Sequence, residues 1–406
     1  MPHVTFVAPF FLPNTLRFLR ALAGLEGLRL SVVTQQALEG LPADVRSQLA
    51  GHWRVDDALS ARSIEGAVRG LEQKLGRPDR LLGVLEQIQE PVAAVRDALG
   101  IPGMGLETAH NFRDKARMKT LLREAGLPCA RHRLAESRQA ARDFTGEVGF
   151  PVVVKPPAGA GAKATFRVDD AQQLESALES LAPAPARPWL LEEFLSGEEQ
   201  SFDVVSVHGE PVWHSLTHYL PTPLQVLENP WIQWCVVLPL EVDDPRYDDA
   251  RDVGFQALRV LGMGTGVSHM EWFRRPDGSV AVSEIAARPP GAQITTLMSY
   301  AHDFDFLAAW ARLMVFDEFR PPERKYAAGA AFLRAQGQGR VQAIRGLDRA
   351  QEAAGDLVVK VELPRPGQGR ADSYEGEGYV IVRHPETSRV LEALKEIISN
   401  VRVEVG

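Results

Sequence analysis

Residues 3–8, HVTFVA, and 28–34, LRLSVVT, are short β-branched runs separated by a helix-like segment around Thr15 to Leu25, and a further apolar run, RLLGVLEQ at 80–87, follows another helical pattern. Strands that alternate with helices cannot be joined by tight turns. They pair in parallel through crossovers, so the first hundred or so residues predict a parallel sheet flanked by helices. At 406 residues the chain exceeds the usual size of one core, which predicts two or three packed units.

Four segments follow from the punctuation: 1–110, an N-terminal α/β domain; 111–190, a helical unit with a glycine-rich loop; 191–320, a third unit opening on antiparallel strands; and 321–406, a strand-rich unit. The second opens near Asn111, where RDKARMKTLLREAGLP has helical spacing and stops at Gly126 and Pro128. It continues through the strand PVVVKPP, a helix at 170–181 and the Pro-rich break APAPARP. WLLEEFL, SFDVVSVHG and EPVWHSLTHY then read as antiparallel strands, a helix spans about 246–261 and another about 303–316, and FRPPER marks the last boundary before a unit ending in the helix TSRVLEALKEII.

The charge balance excludes some functions. A formal net charge of -8 lacks the basic footprint that nucleic-acid binding needs. Cys129 and Cys235 are too few for a disulfide framework and read as buried thiols in a reducing compartment. No run of about 18 apolar residues occurs and the N-terminus lacks a signal-peptide pattern, so a cytoplasmic protein that does not span a membrane is expected.

The stretch HMEWFRRPDGSVAVSEIAARPPGA, 269–292, holds two acids in apolar strand-like runs on either side of Pro276-Asp277-Gly278. A two-residue turn at Asp277-Gly278 sets Glu271 directly opposite Glu284, and His269 opposite Ala286; a longer turn shifts the register by one. Opposed side chains stand roughly 4.5 to 5.5 Å apart, where like charges destabilise a sheet. A divalent cation with oxygen ligands, Mg²⁺ above all, satisfies both; a protonated or solvated pair is the competing reading. Lys155 ends the strand PVVVK and precedes PPAGAGAKAT, where Gly159 and Gly161 suit a cover over phosphates, or simply a flexible turn. A lysine at the end of a buried strand needs an anion or a route to water. Lys115 and Lys119, taken singly, read as exposed helix lysines, and GMGTGVSH at 262–269 follows a helix and opens a strand, the wrong order for a dinucleotide fingerprint.

Taken in order, DKARMK, GFPVVVKPPAGAGAKAT, WLLEEFLSGEEQSF, HMEWF and SEIAARPPGA resemble the ATP-grasp superfamily of carboxylate-amine ligases, and within it bacterial L-amino-acid ligases and related dipeptide-forming enzymes. The resemblance implies an α/β fold, α+β in parts: an N-terminal parallel α/β domain, a small lid, a central antiparallel-sheet domain with ATP between two sheets, and a C-terminal strand-rich extension. It places Lys115 and Lys155 on the ATP phosphates, with the loop of Gly159 and Gly161 closing over them. It sets Glu192 near the adenine amine with Glu193 beside it, the backbones of Phe194 and Leu195 on the adenine edge, and Glu199 on the ribose. Glu271 and Glu284 match the metal-binding glutamates for Mg²⁺, with Mn²⁺ able to substitute, and the usual asparagine two residues on is Ala286. Arg288, whose planar fork holds a carboxylate or a transferring phosphoryl group, is assigned to catalysis with Lys155; a salt bridge to a nearby glutamate is the alternative. Gly291, His269 and His218 join Arg288 as substrate-side candidates, with His214, Tyr219 and the ENPW segment also near the expected sheet.

The expected activity is an ATP-dependent ligase joining a small carboxylate to an amine through an acyl phosphate. Small-molecule substrates are its partners, and a homodimer is left open. A carboxylase-type enzyme acting on bicarbonate or formate, and a nucleotide-binding regulatory protein without turnover, are the alternatives.

Overall fold

The structure is a computed structural model that describes residues 1–157, 165–229, 231–371 and 373–406. Its N-terminal sheet contains β1 (His3–Ala8), β2 (Arg29–Thr34), β3 (Leu49–Arg54) and β4 (Arg80–Leu82), all parallel in the order β3-β2-β1-β4. The expected alternation is present, with one addition: β3, whose sequence LAGHWR shows no apolar alternation because it lies half-exposed at the sheet edge. One face of this sheet is buried by Ile64, Val68 and Leu71 of helix Ala61–Leu75 and by Val92 and Val95 of helix Gln89–Leu99. The other carries helix Pro13–Ala23, whose Phe18 meets Trp310 edge-on with ring centroids 4.7 Å apart, so this side shares its core with the central sheet.

The lid is a four-stranded antiparallel sheet of β5 (His132–Ala135), β6 (Val152–Lys155), β7 (Phe166–Val168) and β8 (Trp189–Glu193), in the order β5-β8-β6-β7. The central sheet has eight strands. They are β9 (Glu198–Val207), β10 (Glu210–Leu220), β11 (Trp234–Leu238), β12 (Gly266–Arg274), β13 (Val280–Ala286), β14 (Ala327–Leu333), β16 (Val358–Glu362) and β17 (Gly378–His384), in the order β13-β12-β9-β10-β11-β14-β17-β16. A separate pair joins β15 (Val341–Arg345) to β18 (Arg402–Val405). Three strands of the C-terminal segment thus extend the central sheet instead of forming a sheet of their own.

Helix Asp248–Leu261 covers one face of the β13-β12-β9 end, where Phe202, Met270, Trp272 and Val282 meet Ala257, Leu258 and Leu261. Helices Ile294–His302 and Phe306–Phe316 cover the other face farther along, over Trp234, Val236 and Phe332. Fully buried aromatic and branched side chains of this kind contribute roughly 1.5–3 kcal/mol each relative to exposure, which makes the apolar face the stronger constraint on strand orientation. What the helices leave uncovered on the second face is the polar end of β9, β12 and β13. Among the described residues no helix is long and apolar enough to cross a membrane, and both cysteines are buried free thiols.

Candidate nucleotide and metal site

The period of two along a strand sets Glu199, Ser201 and Asp203 of β9 on one face. Their partners on β12 are Phe273, Glu271 and His269, and β13 adds Glu284 beside Glu271 and Ala286 beside His269. Glu271 and Glu284 therefore do face each other, but by a different route from the one expected. The turn is three residues long, Pro276-Asp277-Gly278, closed by Gly278 N–H to Arg275 O at 2.9 Å with Gly278 at φ +85°. Alone it would offset the pairing by one, as Trp272 opposite Val282 shows; a bulge at Ser283 restores it for the two glutamates.

His269 donates from Nδ1 to Asp203 Oδ1 at 2.7 Å, and its Nε2 lies 3.7 Å from Glu271 and 3.5 Å from the Tyr219 hydroxyl. Burial disfavours its charged form, but Asp203 and Glu271 outweigh burial and raise the imidazole to about 9. The position opposite Ala286 thus holds an imidazolium locked by a fully buried aspartate. Asp203 escaped the sequence reading, although an acid at the same parity as Glu199 in SFDVVSV was the available signal.

The lysines converge on this face from two elements. Asp114 Oδ1 caps helix Lys115–Glu124, accepting from Ala116 N and Arg117 N at 2.9 Å, and so fixes the first turn, which opens on Lys115 and leads into Lys119. Lys115 Nζ is ion-paired with Glu284. Lys119 is fully buried, not the exposed helix lysine the sequence suggested: its Nζ donates to Ser283 O, the carbonyl at the bulge, and stands 3.4 Å from Glu192 Oε1. Its spacing of one helical turn from Lys115 was the signal for a shared face. From β6, Lys155 Nζ reaches Glu192 Oε2 at 2.8 Å. Burying ammonium groups costs several kcal/mol each unless they are paired. Here burial lowers Lys119, whereas for Lys155 Glu192 and Glu284 outweigh burial and raise it. Burial also pushes Glu284 up, but Lys115 and Lys155 pull harder and hold it at about 2.

Glu192 is thus committed to two lysines, which competes with the adenine contact expected of it; burial is outweighed by Lys119 and Lys155, and its carboxyl lies below the ordinary value. Glu193 is tied to Arg131 at 2.7 Å and Arg275 at 3.4 Å. The Phe194 N–H is used by Pro151 O at 3.2 Å, and Arg167 stacks 4.4 Å over its ring. The Phe194 N–H is therefore not available for the expected adenine contact, and Leu195 is buried. Glu199 is buried with its carboxyl well above the usual range, first through burial and then through Glu271. Gly159 and Gly161 lie outside the described residues.

The substrate-side candidates separate. His218 pairs with Gln200 and Val237, which puts it on the opposite face, where its Nε2 lies 3.0 Å from Tyr247 Oη of the helix-covered core; it does not join the carboxylates. His214 likewise packs on Phe202 and Phe255. A one-residue change of parity decides this, and both histidines fall on even positions of β10 while the site takes odd ones. Arg288 is ion-paired through Nε with Glu86 from the N-terminal domain, which also receives Arg113 Nη1 at 3.0 Å. The salt bridge expected as the alternative exists, but with a partner some two hundred residues away. Gly291 is exposed in the segment leading to helix Ile294–His302.

Glu199, Glu271 and Glu284 act on one another electrostatically, and the latter two retain 32% and 23% side-chain exposure. Two accessible carboxylates form a hard oxygen set that fits Mg²⁺, which commonly takes one or two protein carboxylates and completes its shell with phosphates and water. Among the described residues no group of three or more His, Cys, Asp or Glu side chains forms a full metal site. The lysines beside this pair are placed for a polyanion.

This arrangement between two antiparallel sheets is that of a known domain, and residues 120–303 match the ATP-grasp domain family. The chain thus carries an ATP-grasp domain, and the proteins it is similar to include C–N bond-forming ligases. It is similar to the uncharacterized protein y4rH of Sinorhizobium fredii, 26% identical over 348 residues, which cover 82% of this chain and 70% of that protein. It is also similar to an L-arginine-specific L-amino acid ligase of Bacillus subtilis, 25% identical over 303 residues, 73% of this chain and 70% of that one. Among solved structures, an L-amino acid ligase from Bacillus licheniformis superposes with a TM-score of 0.78 at 18% identity, over 100% of this chain and 99% of that one.

Proposed function

We propose that the chain is an ATP-dependent ligase that joins a small carboxylate, an amino acid or a similar acid, to an amine, releasing ADP and phosphate. One observation carries this reading: Glu271 and Glu284 stand opposite each other, with Lys115 paired to Glu284 and Lys119 and Lys155 paired to the neighbouring Glu192. A face with paired carboxylates and three buried lysines suits a metal-bound triphosphate better than any neutral ligand.

In this mechanism the substrate carboxylate attacks the γ-phosphorus, forming an acyl phosphate, and the amine then attacks the acyl carbon and expels phosphate. Lys115 and Lys155 bind the phosphate oxygens, exchanging their carboxylate partners for the polyanion, and neutralise charge that develops in transfer, while the buried Lys119 adds its charge from behind Glu192. Glu271 and Glu284 would hold Mg²⁺, which would supply positive charge to offset that of the phosphates. Glu199 lies at the ribose end of β9, and the edge of β8 beyond Glu193 offers backbone groups to the base. Arg288, held by Glu86, would meet the substrate carboxylate. No nucleophilic side chain is required, since the attacking oxygen belongs to the substrate.

The test is phosphate release by purified protein given ATP, Mg²⁺ and a panel of amino acids, with hydroxylamine present. The expected result is release that depends on one or a few carboxylates, together with their hydroxamates. Nucleotide binding without release on any carboxylate would favour a regulatory nucleotide-binding protein. Release with bicarbonate or formate alone would favour a carboxylase-type reaction.

A further inference from the structure

The carboxylate of Glu375, beside the segment that follows Arg288, has no role in the mechanism above. Glu375 sits three residues before β17, and the two residues after it are tied to their neighbours. Glu377 is buried, accepting from Ala335 N at 2.7 Å and Ala371 N at 2.8 Å, while its own N–H donates to Leu333 O at 3.0 Å. Gly376 turns the chain at φ +64°, where a Cβ would meet Leu333 O at 2.7 Å, so only glycine makes this turn. Tyr374 packs edge-on against Trp234 at 4.7 Å and lies within the electrostatic reach of Glu271, Arg288 and Glu284.

The turn directs Glu375 to the segment that leaves β13, where its Oε1 accepts from Ala292 N–H at 3.3 Å, four residues beyond Arg288. That long bond is its one hydrogen bond among the described residues. No described cation pairs with it: Arg288 is held by Glu86, and Arg17, the basic side chain that reaches Gln293 and Thr296, spends itself there. Burial raises the carboxyl above its ordinary range. A half-buried carboxylate with one weak donor and no counter-ion is costly to keep unless a cation joins it.

We infer that Glu375 takes a cationic nitrogen of the substrate, so that Arg288 and Glu375 present opposite charges to opposite ends of an amino acid. The inference rests on the ligase reading and names the substrate feature that site selects. Two sources share the chemistry, the α-ammonium and a side-chain ammonium or guanidinium.

Calorimetric titration of the full chain separates the two sources with paired ligands: L-norvaline against valerate for the α-ammonium, and L-arginine against L-citrulline for a side-chain cation. In the wild type the cationic member of at least one pair should bind on the order of ten- to a hundredfold more tightly, the range of a hydrogen bond to a charged group. Glu375→Gln keeps the oxygen that accepts from Ala292 and loses the charge. It should bring that ratio within about threefold of unity with little change in melting temperature, while Glu375→Asp should retain most of the preference. A ratio that survives in Glu375→Gln would leave Glu375 a mere cap for Ala292 and overturn the inference. So would a wild type that prefers neither cationic ligand or binds none of the four. Because binding is read without turnover, a silent phosphate-release assay bears on the ligase reading alone.

Discussion

Replacing Glu284 by Gln removes a charge at constant size, at the point where Lys115 and the opposed Glu271 meet. On the ligase reading, kcat for phosphate release should fall about 10³-fold or more, because the phosphates lose their metal clamp, whereas His269→Ala should cost roughly tenfold. The reverse order, measured by steady-state kinetics, would displace the metal from Glu284. A second residue sets an acid limit on stability. His302 is buried against Trp213 and donates from Nδ1 to Met298 O at 2.8 Å; burial and Arg324 hold it down to about 3. Its folded value lies below the unfolded value of 6.5, so its contribution is complete above that pH and is lost as pH falls toward 3. Between pH 7 and about pH 4.5 it should remove about 2–3 kcal/mol of unfolding free energy, and His302→Phe should flatten that decline in urea titrations. At this scale Lys155, Glu271 and Glu284 were legible because each is a charge in an apolar run. Lys119 was not, because burial of one helix lysine depends on what packs against the helix.

Helix Lys115–Glu124 is capped by Asp114, and its first turn opens on Lys115 with Lys119 one turn on. Asp114→Ala removes the acceptor of the Ala116 and Arg117 N–H groups, which should cost about 1–2 kcal/mol in chemical denaturation. The same change should weaken ATP binding severalfold in a direct titration, since a frayed turn no longer fixes Lys115. Unaltered nucleotide affinity would separate this turn from the phosphates. Elements with strong periodicity, such as β1, β2 and helix Asp248–Leu261, were legible in the sequence. The half-exposed edge strand β3 was not, and neither was helix Ile294–His302, which follows directly on the polar strand. The hairpin teaches a narrower point. Turn residues alone favoured a two-residue loop; the structure has three residues and a compensating bulge, because the bulge places Ser283 O on Lys119 while keeping both glutamates on the site face.

Across the whole molecule, Glu86 ties the N-terminal domain to Arg288 and Arg113. Glu86→Gln should lower kcat/KM for the carboxylate substrate by about ten- to a hundredfold while leaving the dissociation constant for ATP near wild type, because Arg288 is left misaligned and the lysines are untouched. Equal losses in both would mean that Glu86 holds the domains together without orienting Arg288. The C-terminal segment also acts at this scale, since β14, β16 and β17 complete the central sheet and the loop of Tyr374 and Glu375 borders the site. By itself the sequence determined the strand and helix periods, the two glutamates as charges in neighbouring strands, Lys155 at its strand end, and the order of motifs that an ATP-grasp domain requires. These are local facts, fixed by side-chain spacing along one segment. Only the tertiary structure decided that Lys119 is buried, that His218 faces away, that Glu86 holds Arg288, and that Glu375 lies beside Ala292. Each of these depends on which surfaces meet across long separations in sequence, and no local spacing encodes that.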